Sequence, residues 1–137
     1  MLKIKYDINL MKFISLFENL TRAKVKDCIE GETLMYIVEN GEISKAIGKG
    51  AINIQKIEGL LRRKIKVVEF NENLCSFVAN LIRPLKVENI TEENGIVTIT
   101  DKDNKTKGLL IGRNAKNLAN HKNIVSRYFE IQDIVVR

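Results

Sequence analysis

Ile47-Gly48-Lys49-Gly50-Ala51-Ile52-Asn53-Ile54 and Ile111-Gly112-Arg113-Asn114-Ala115-Lys116-Asn117-Leu118 are one octet written twice, 64 residues apart. Six of the eight positions match in kind at that offset: Ile47/Ile111, Gly48/Gly112, Lys49/Arg113, Ala51/Ala115, Asn53/Asn117 and Ile54/Leu118. The interval is too long for a solenoid repeat and suits a small duplicated domain. In each copy a glycine and a cation precede an apolar-periodic stretch, where a helix N-terminus presents free amide donors to an anion. The chain reads as two anion-gripping units in series.

Outward from the first octet, the same order of elements emerges twice. Residues 2–6 alternate like a short strand, and Asp7 is placed to cap a helix carrying Leu10, Phe13, Ile14, Phe17 and Leu20 at helical spacing. Residues 25–29 and 33–38 read as a hairpin about Glu30-Gly31-Glu32. A short helix over residues 43–47 leads into the glycine motif. A second helix follows, with Ala51, Ile54, Ile57, Leu60 and Leu61 as its inward face, and residues 64–70 close the unit as a strand rich in β-branched side chains.

In the second half, Leu74, Phe77, Val78, Leu81 and Ile82 mark an amphipathic helix that Pro84 stops. Residues 86–91 and 96–100 form a hairpin about Asn94-Gly95, a strong turn dipeptide. A polar loop over residues 101–105, a short helix ending at Ile111 and the second glycine motif come next. A helix to about Phe129, with Leu118, Val125 and Tyr128 inward, and a strand over residues 131–136 complete the chain. The predicted class is α+β, in two domains, 1–71 and 72–137. The single proline and the lack of a Gly/Ser-rich stretch argue against a flexible linker, so the two units are expected to hold a fixed relation.

Composition sets the partners that such a chain can take. Its 137 residues carry 23 Lys and Arg against 17 Asp and Glu, a net charge of +6, and both halves are basic. A cationic excess permits a polyanion as partner and also serves solubility. Cys28 and Cys75 are the only cysteines, 47 residues apart in apolar surroundings, and read as free thiols in a reducing compartment. Lys3, Lys5, Asp7 and Lys12 interrupt any signal-peptide core, and no apolar run reaches membrane-spanning length. A cytoplasmic protein is expected.

His121 is the only histidine, and no cysteine pair or carboxylate cluster stands at metal-ligand spacing. No nucleophile-base set is present, and Gly48-Lys49 lacks the frame of a Walker loop. The reading is therefore of a non-enzyme with no metal, cofactor or small-molecule substrate.

A glycine loop between two helices, flanked by cations and placed after a β-hairpin, resembles the GXXG loop of KH domains, which clamps RNA backbone. The matching tetrads are Gly48-Lys49-Gly50-Ala51 and Gly112-Arg113-Asn114-Ala115. Two strands ahead of the motif and one behind resemble the type II KH order: helix, strand, strand, helix, helix, strand, with the helices packed on a three-stranded sheet. Two such units and almost no linker resemble the archaeal NusA-like proteins, over nearly the whole chain. The resemblance implies a binder of single-stranded RNA in transcription elongation or termination, in contact with RNA polymerase. Two other readings stay open: a protein-interaction module docking on the polymerase with decayed loops, and a KH protein of structured or ribosomal RNA.

Within that resemblance, the amides at residues 49–51 and 113–115 point at phosphate, and Lys49 and Arg113 add a charge beside them. Lys45 and Lys107 flank the loops as further phosphate contacts or as solvated charges. Ile47, Ile54, Ile111 and Leu118 are candidates for the floor of a base-binding groove, with core packing the plainer role. Asn53 and Asn117 either bond a base edge or brace the loop backbone, and bracing is favoured. The basic run Arg62-Arg63-Lys64 serves RNA or simply the helix C-terminus.

The fourth loop position is alanine in both copies. Were Ala51 and Ala115 at positive φ, each would be disfavoured by roughly 1 kcal/mol or more. In the first turn of the next helix alanine would be the best residue available. The same substitution in both copies favours the helical placement. The loop mechanism predicts that Gly48→Asp with Gly112→Asp abolishes RNA binding and spares the fold.

Overall fold

The computed structural model describes residues 8–137; the strand expected over residues 2–6 and the Asp7 cap lie outside them. Contacts divide the chain between Phe70 and Asn71 into two compact units. The first unit runs α1 (Ile8–Thr21), β1 (Val25–Ile29), β2 (Leu34–Val38), α2 (Ile43–Ile47), a 3-10 turn (Lys49–Ala51), α3 (Ile52–Leu61) and β3 (Ile65–Glu69). The second repeats the order: α4 (Leu74–Leu81), β4 (Asn89–Glu93), β5 (Ile96–Thr100), α5 (Asn104–Ile111), a 3-10 turn (Arg113–Ala115), α6 (Lys116–Ser126) and β6 (Asp133–Val136).

Each unit carries a three-stranded sheet, β1-β2-β3 or β4-β5-β6. The hairpin pair is antiparallel and the last strand joins the middle one in parallel, Tyr36 opposite Val67 and Val97 opposite Ile134. A parallel neighbour requires a long crossover, and the two helices with the glycine loop between them are that crossover. The loop is thereby fixed at the junction of two packed helices.

The middle strand of the first sheet is the most apolar element, and Leu34, Tyr36 and Val38 enter the core with Phe17, Ala46, Ile57 and Ile65. Phe17 stacks on Tyr36 at 4.1 Å between ring centroids, and the Tyr36 hydroxyl donates to the Phe13 carbonyl at 3.0 Å. A buried phenol with its polar end satisfied adds large apolar area at little polar cost. In the second unit Phe77 takes the corresponding role, with Tyr128 edge-on at 5.6 Å and Phe129 at 5.8 Å, beside buried Leu81, Leu110, Val125 and Ile134.

Several expected boundaries move, each for a local reason. The α5 helix starts inside the expected polar loop because Asp103 caps it, accepting from the amide and hydroxyl of Thr106 at 3.1 and 2.7 Å. The β4 strand begins at Asn89 rather than residue 86, since the Glu88 amide is taken by the Asp101 carboxylate at 3.1 Å. The last strand starts at Asp133, after the Gln132 amide has closed on the Gly95 carbonyl. Asn94 and Gly95 both have positive φ, 53° and 82°, as a tight hairpin turn demands. The inward face expected of α3 loses Leu60, which is 62% exposed.

Candidate nucleic-acid interface

The two loops share one backbone conformation. Gly48 has φ 74 and ψ 170, Gly112 φ 75 and ψ 172. The third residues, Gly50 (φ 62, ψ 27) and Asn114 (φ 54, ψ 32), and the fourth, Ala51 (φ 60, ψ 26) and Ala115 (φ 59, ψ 24), are all left-handed. A bend into the left-handed region at the mouth of a helix turns successive N–H groups toward one side and makes a concavity for an anion. Asparagine tolerates that region better than most residues, which accounts for Asn114 where the first copy has glycine.

Ala51 and Ala115 therefore do not occupy the first helical turn, contrary to the sequence expectation. They hold positive φ at a cost of about 1–2 kcal/mol each by general sterics. Backbone strain of this kind collects at functional loops, where packing on both sides over-determines it.

The glycines are required by the fold itself. Their combination of φ and ψ is open essentially to glycine alone. A Cβ on Gly48 would stand 2.8 Å from Asn53 Nδ2, and one on Gly112 would stand 2.6 Å from Asn117 Cγ. The close approach is thus to a neighbouring side chain, not only to a ligand.

Those asparagines brace the loop. Asn53 Nδ2 donates to the Lys45 carbonyl at 2.8 Å, and Asn117 Nδ2 donates to the Leu109 carbonyl at 2.9 Å. Each bond satisfies one of the orphan carbonyls at the end of the preceding helix and ties it to the following one. Their amides are thereby engaged within the protein.

The amides of the loop divide into two kinds. Ala51 N–H donates to the Gly48 carbonyl and Ala115 N–H to the Gly112 carbonyl, both at 3.2 Å. Ile52 N–H closes on Lys49 O, and Lys116 N–H on Arg113 O. The alanine amides are therefore spent inside the loop and do not point at phosphate as expected. Those of Lys49 and Gly50, and of Arg113 and Asn114, lie in the 3-10 turn ahead of the helix, outside its hydrogen-bond ladder. The exposed side chains of Lys49 and Arg113 lie beside them, so amide donors and a cation come together at the same end of each loop.

The flanking residues fall out differently. Lys45 is exposed, with Nζ 3.3 Å from Glu42 Oε2. The Glu42 carboxyl is held below its usual range first by the Lys24 amide and then by Lys45. Lys107 is half-buried on α5, five residues ahead of Gly112 rather than three, and is not the counterpart of Lys45. The counterpart is Leu109. Ile47, Ile54, Ile111 and Leu118 are all half-buried, and Ile54 packs against the first core. Arg63 pairs with Glu30 and donates to the Gly31 carbonyl at 2.9 Å, which assigns it to the hairpin turn. Sequence reasoning passed over Ile52, Leu109 and Lys116, although each is visible as a mismatch at the 64-residue offset.

Cys28 is buried and Cys75 half-buried, and both thiols are free. Among the described residues no group of three His, Cys, Asp or Glu side chains is placed to hold a metal ion, and no helix is long and apolar enough to cross a membrane.

Two helix-strand-strand-helix-loop-helix-strand units, each with a glycine loop inside its crossover, define a protein of two tandem type II KH domains. The chain belongs to the family of archaeal NusA-like transcription termination proteins. It is 31% identical to the probable transcription termination protein NusA of Halococcus morrhuae over 90% of this chain and 91% of that one. With the protein of the same name from Methanococcus vannielii it shares 29% identity, covering 98% of this chain and 80% of that one. The crystal structure of the protein APE1850 matches with a TM-score of 0.73 at 31% identity, over 96% of this chain and 100% of that one. No protein-family model matches the chain.

Proposed function

We propose that this protein is a non-catalytic binder of single-stranded RNA that acts in transcription elongation and termination, in the cytoplasm and in contact with RNA polymerase. The observation that carries the reading is the duplicated loop conformation. Two segments with different residues at the third position adopt backbone angles whose largest difference is 8° (62 against 54), and both place a cation at the second position. A turn that merely joined two helices would not need strained alanine twice. In each unit Gly48 or Gly112 sets the bend, Asn53 or Asn117 locks it, and the amides and cation of the next two residues take the phosphate. Each loop grips about four nucleotides, as KH loops do.

Family membership supports the setting, since the relatives are named as transcription termination proteins. The net charge of +6 supports a polyanionic partner. Fluorescence titration of the intact protein against single-stranded RNA, duplex RNA and single-stranded DNA at two salt concentrations tests the reading. Tightest binding to single-stranded RNA, weakening linearly in log affinity with log salt, is expected. Preference for duplex RNA would favour a structured-RNA role. A polymerase complex surviving at a salt concentration where RNA binding is lost would favour docking as the main role.

A further inference from the structure

The two loops are matched in backbone but inverted in what flanks them. At the 64-residue offset Lys45 corresponds to Leu109, and Ile52 corresponds to Lys116. All four are exposed, Ile52 by 46% and Leu109 by 50%. Residues 45 and 109 lie on the helix entering the loop, and residues 52 and 116 open the helix leaving it. The asparagine braces hold these two walls together, since Asn53 bonds the Lys45 carbonyl and Asn117 the Leu109 carbonyl. Ile52 also leans over the loop, with its Cγ2 3.1 Å from where a Gly48 Cβ would stand. Each loop is therefore flanked by one exposed apolar and one exposed cationic residue, on exchanged helices in the two units.

A single exposed aliphatic side chain needs no explanation. Two of the six large exposed hydrophobics among the described residues, however, lie within four residues of a loop glycine, and in each unit an exposed lysine flanks the other side of the loop in sequence. Each nucleotide presents an apolar base face and a charged phosphate within one sugar's length of each other. A wall that offers an aliphatic surface suits the base, and a wall that offers an ammonium suits the next phosphate. In the Lys45–Glu42 pair the lysine is exposed and the carboxylate, 17% exposed, also accepts from the Lys24 amide, so the ammonium is the partner free to turn to phosphate.

We propose, on the RNA-binding reading above, that Ile52 and Leu109 are the base-contacting specificity residues of the two loops and that Lys45 and Lys116 are their phosphate-contacting counterparts. The first unit then holds a base against the helix leaving its loop, and the second against the helix entering it. The two units are consequently not interchangeable copies, and each selects its base in a pocket with the opposite wall.

The test uses fluorescence anisotropy of the intact protein with a randomised RNA decamer and with an abasic decamer of the same backbone. Ile52→Ser and Leu109→Ser should each weaken the base-bearing decamer by about fivefold, leaving the abasic decamer and the salt slope unchanged. Lys45→Ser and Lys116→Ser should weaken both decamers equally and lower the salt slope by about 0.7 for each phosphate left without its cation. The exchange Lys45→Leu with Ile52→Lys should restore the preference for base-bearing RNA that Ile52→Ser removes, with circular dichroism confirming the fold. Serine variants that leave the ratio of the two affinities unchanged overturn this assignment while leaving the RNA reading intact. A wild type that binds neither decamer overturns the RNA reading and the assignment with it.

Discussion

Gly48 lies so close to Asn53 that a Cβ on the glycine would stand 2.8 Å from the asparagine's Nδ2, and that same nitrogen donates to the Lys45 carbonyl at 2.8 Å. Gly112 and Asn117 repeat the relationship with Leu109. The loop is thus clamped by a side chain that fits only because the glycine has none. This bears on which substitutions can probe it. Aspartate at Gly48 or Gly112 would strain a φ near 75° and displace the brace, so loss of binding in such a variant would not isolate the ligand interaction.

The braces themselves give a stability prediction. Asn53→Ala and Asn117→Ala each remove one hydrogen bond to a helix-end carbonyl and should lower unfolding free energy by about 1 kcal/mol. Urea denaturation of each variant measures it, and unchanged midpoints would show that water satisfies the carbonyl equally well.

Ala51→Gly and Ala115→Gly should stabilise the protein. Relief of left-handed strain, about 1–2 kcal/mol, outweighs the about 0.4–1 kcal/mol of unfolded-chain entropy that glycine adds. A net gain near 0.5–1 kcal/mol per site should raise the thermal midpoint by a few degrees, at about 4–8 °C per kcal/mol for domains of this size. A lowered midpoint in both variants would mean that the alanine methyls make packing interactions worth more than the strain.

Arg63 belongs to the hairpin turn, and Arg63→Ala separates that role from RNA binding. The variant should lose less than about 1 kcal/mol of stability, because the pair with Glu30 is partly solvent-exposed. Its RNA affinity should stay within about twofold of the wild type at fixed salt, since every phosphate keeps its cation. A loss of affinity comparable to that of a loop-cation variant would return the basic run to the interface.

Alkaline stability should reveal the buried thiol. Burial, with the charges of Asp27 and Glu30 adding to it, pushes Cys28 from its ordinary value of 9.0 up to about 12. Tyr36 is raised in the same direction, by burial first. A group whose folded pKa lies above its unfolded one stabilises fully below the unfolded value, and the contribution is lost as pH rises through the folded one. Unfolding free energy should therefore fall between about pH 9 and pH 12, by up to about 1.4 kcal/mol per pH unit for each such group. Denaturation curves across that window should show a shallower fall in Cys28→Ala than in the wild type. Equal slopes would place the loss elsewhere.

Much of this arrangement was legible in the sequence. The order of elements and the position of both loops followed from apolar periodicity and from the 64-residue repeat, because β-branched runs such as Ile65, Val67 and Val68 and the stripe from Leu74 to Leu81 have few alternative readings. The turn at Asn94-Gly95 was equally plain, since both residues suit positive φ. What stayed hidden were features set by three-dimensional closure. Nothing in a tetrad ending in alanine reveals a left-handed φ, because intrinsic preference argues for a helix there and the flanking helices override it. Leu60 fitted the helical stripe and yet is exposed, since Ile54, Ile57 and Leu61 make up the face of α3 that packs on the core. Asp103 could have been read as a cap, because an aspartate ahead of a helix with threonine three residues on is the usual signal. The inverted flanks could also have been found by reading the mismatches of the repeat as closely as its matches.

The central claim is that the amides and cation at the second and third loop positions hold RNA phosphate. Lys49→Asp with Arg113→Asp alters only exposed side chains at positions that do not need glycine, and circular dichroism should show the fold unchanged. Titrated against single-stranded RNA at fixed salt, the double variant should bind at least about tenfold more weakly than the wild type and show a smaller salt slope, by about 0.7 for each phosphate left without its cation. Wild-type affinity and an unchanged slope in the folded double variant would contradict the claim.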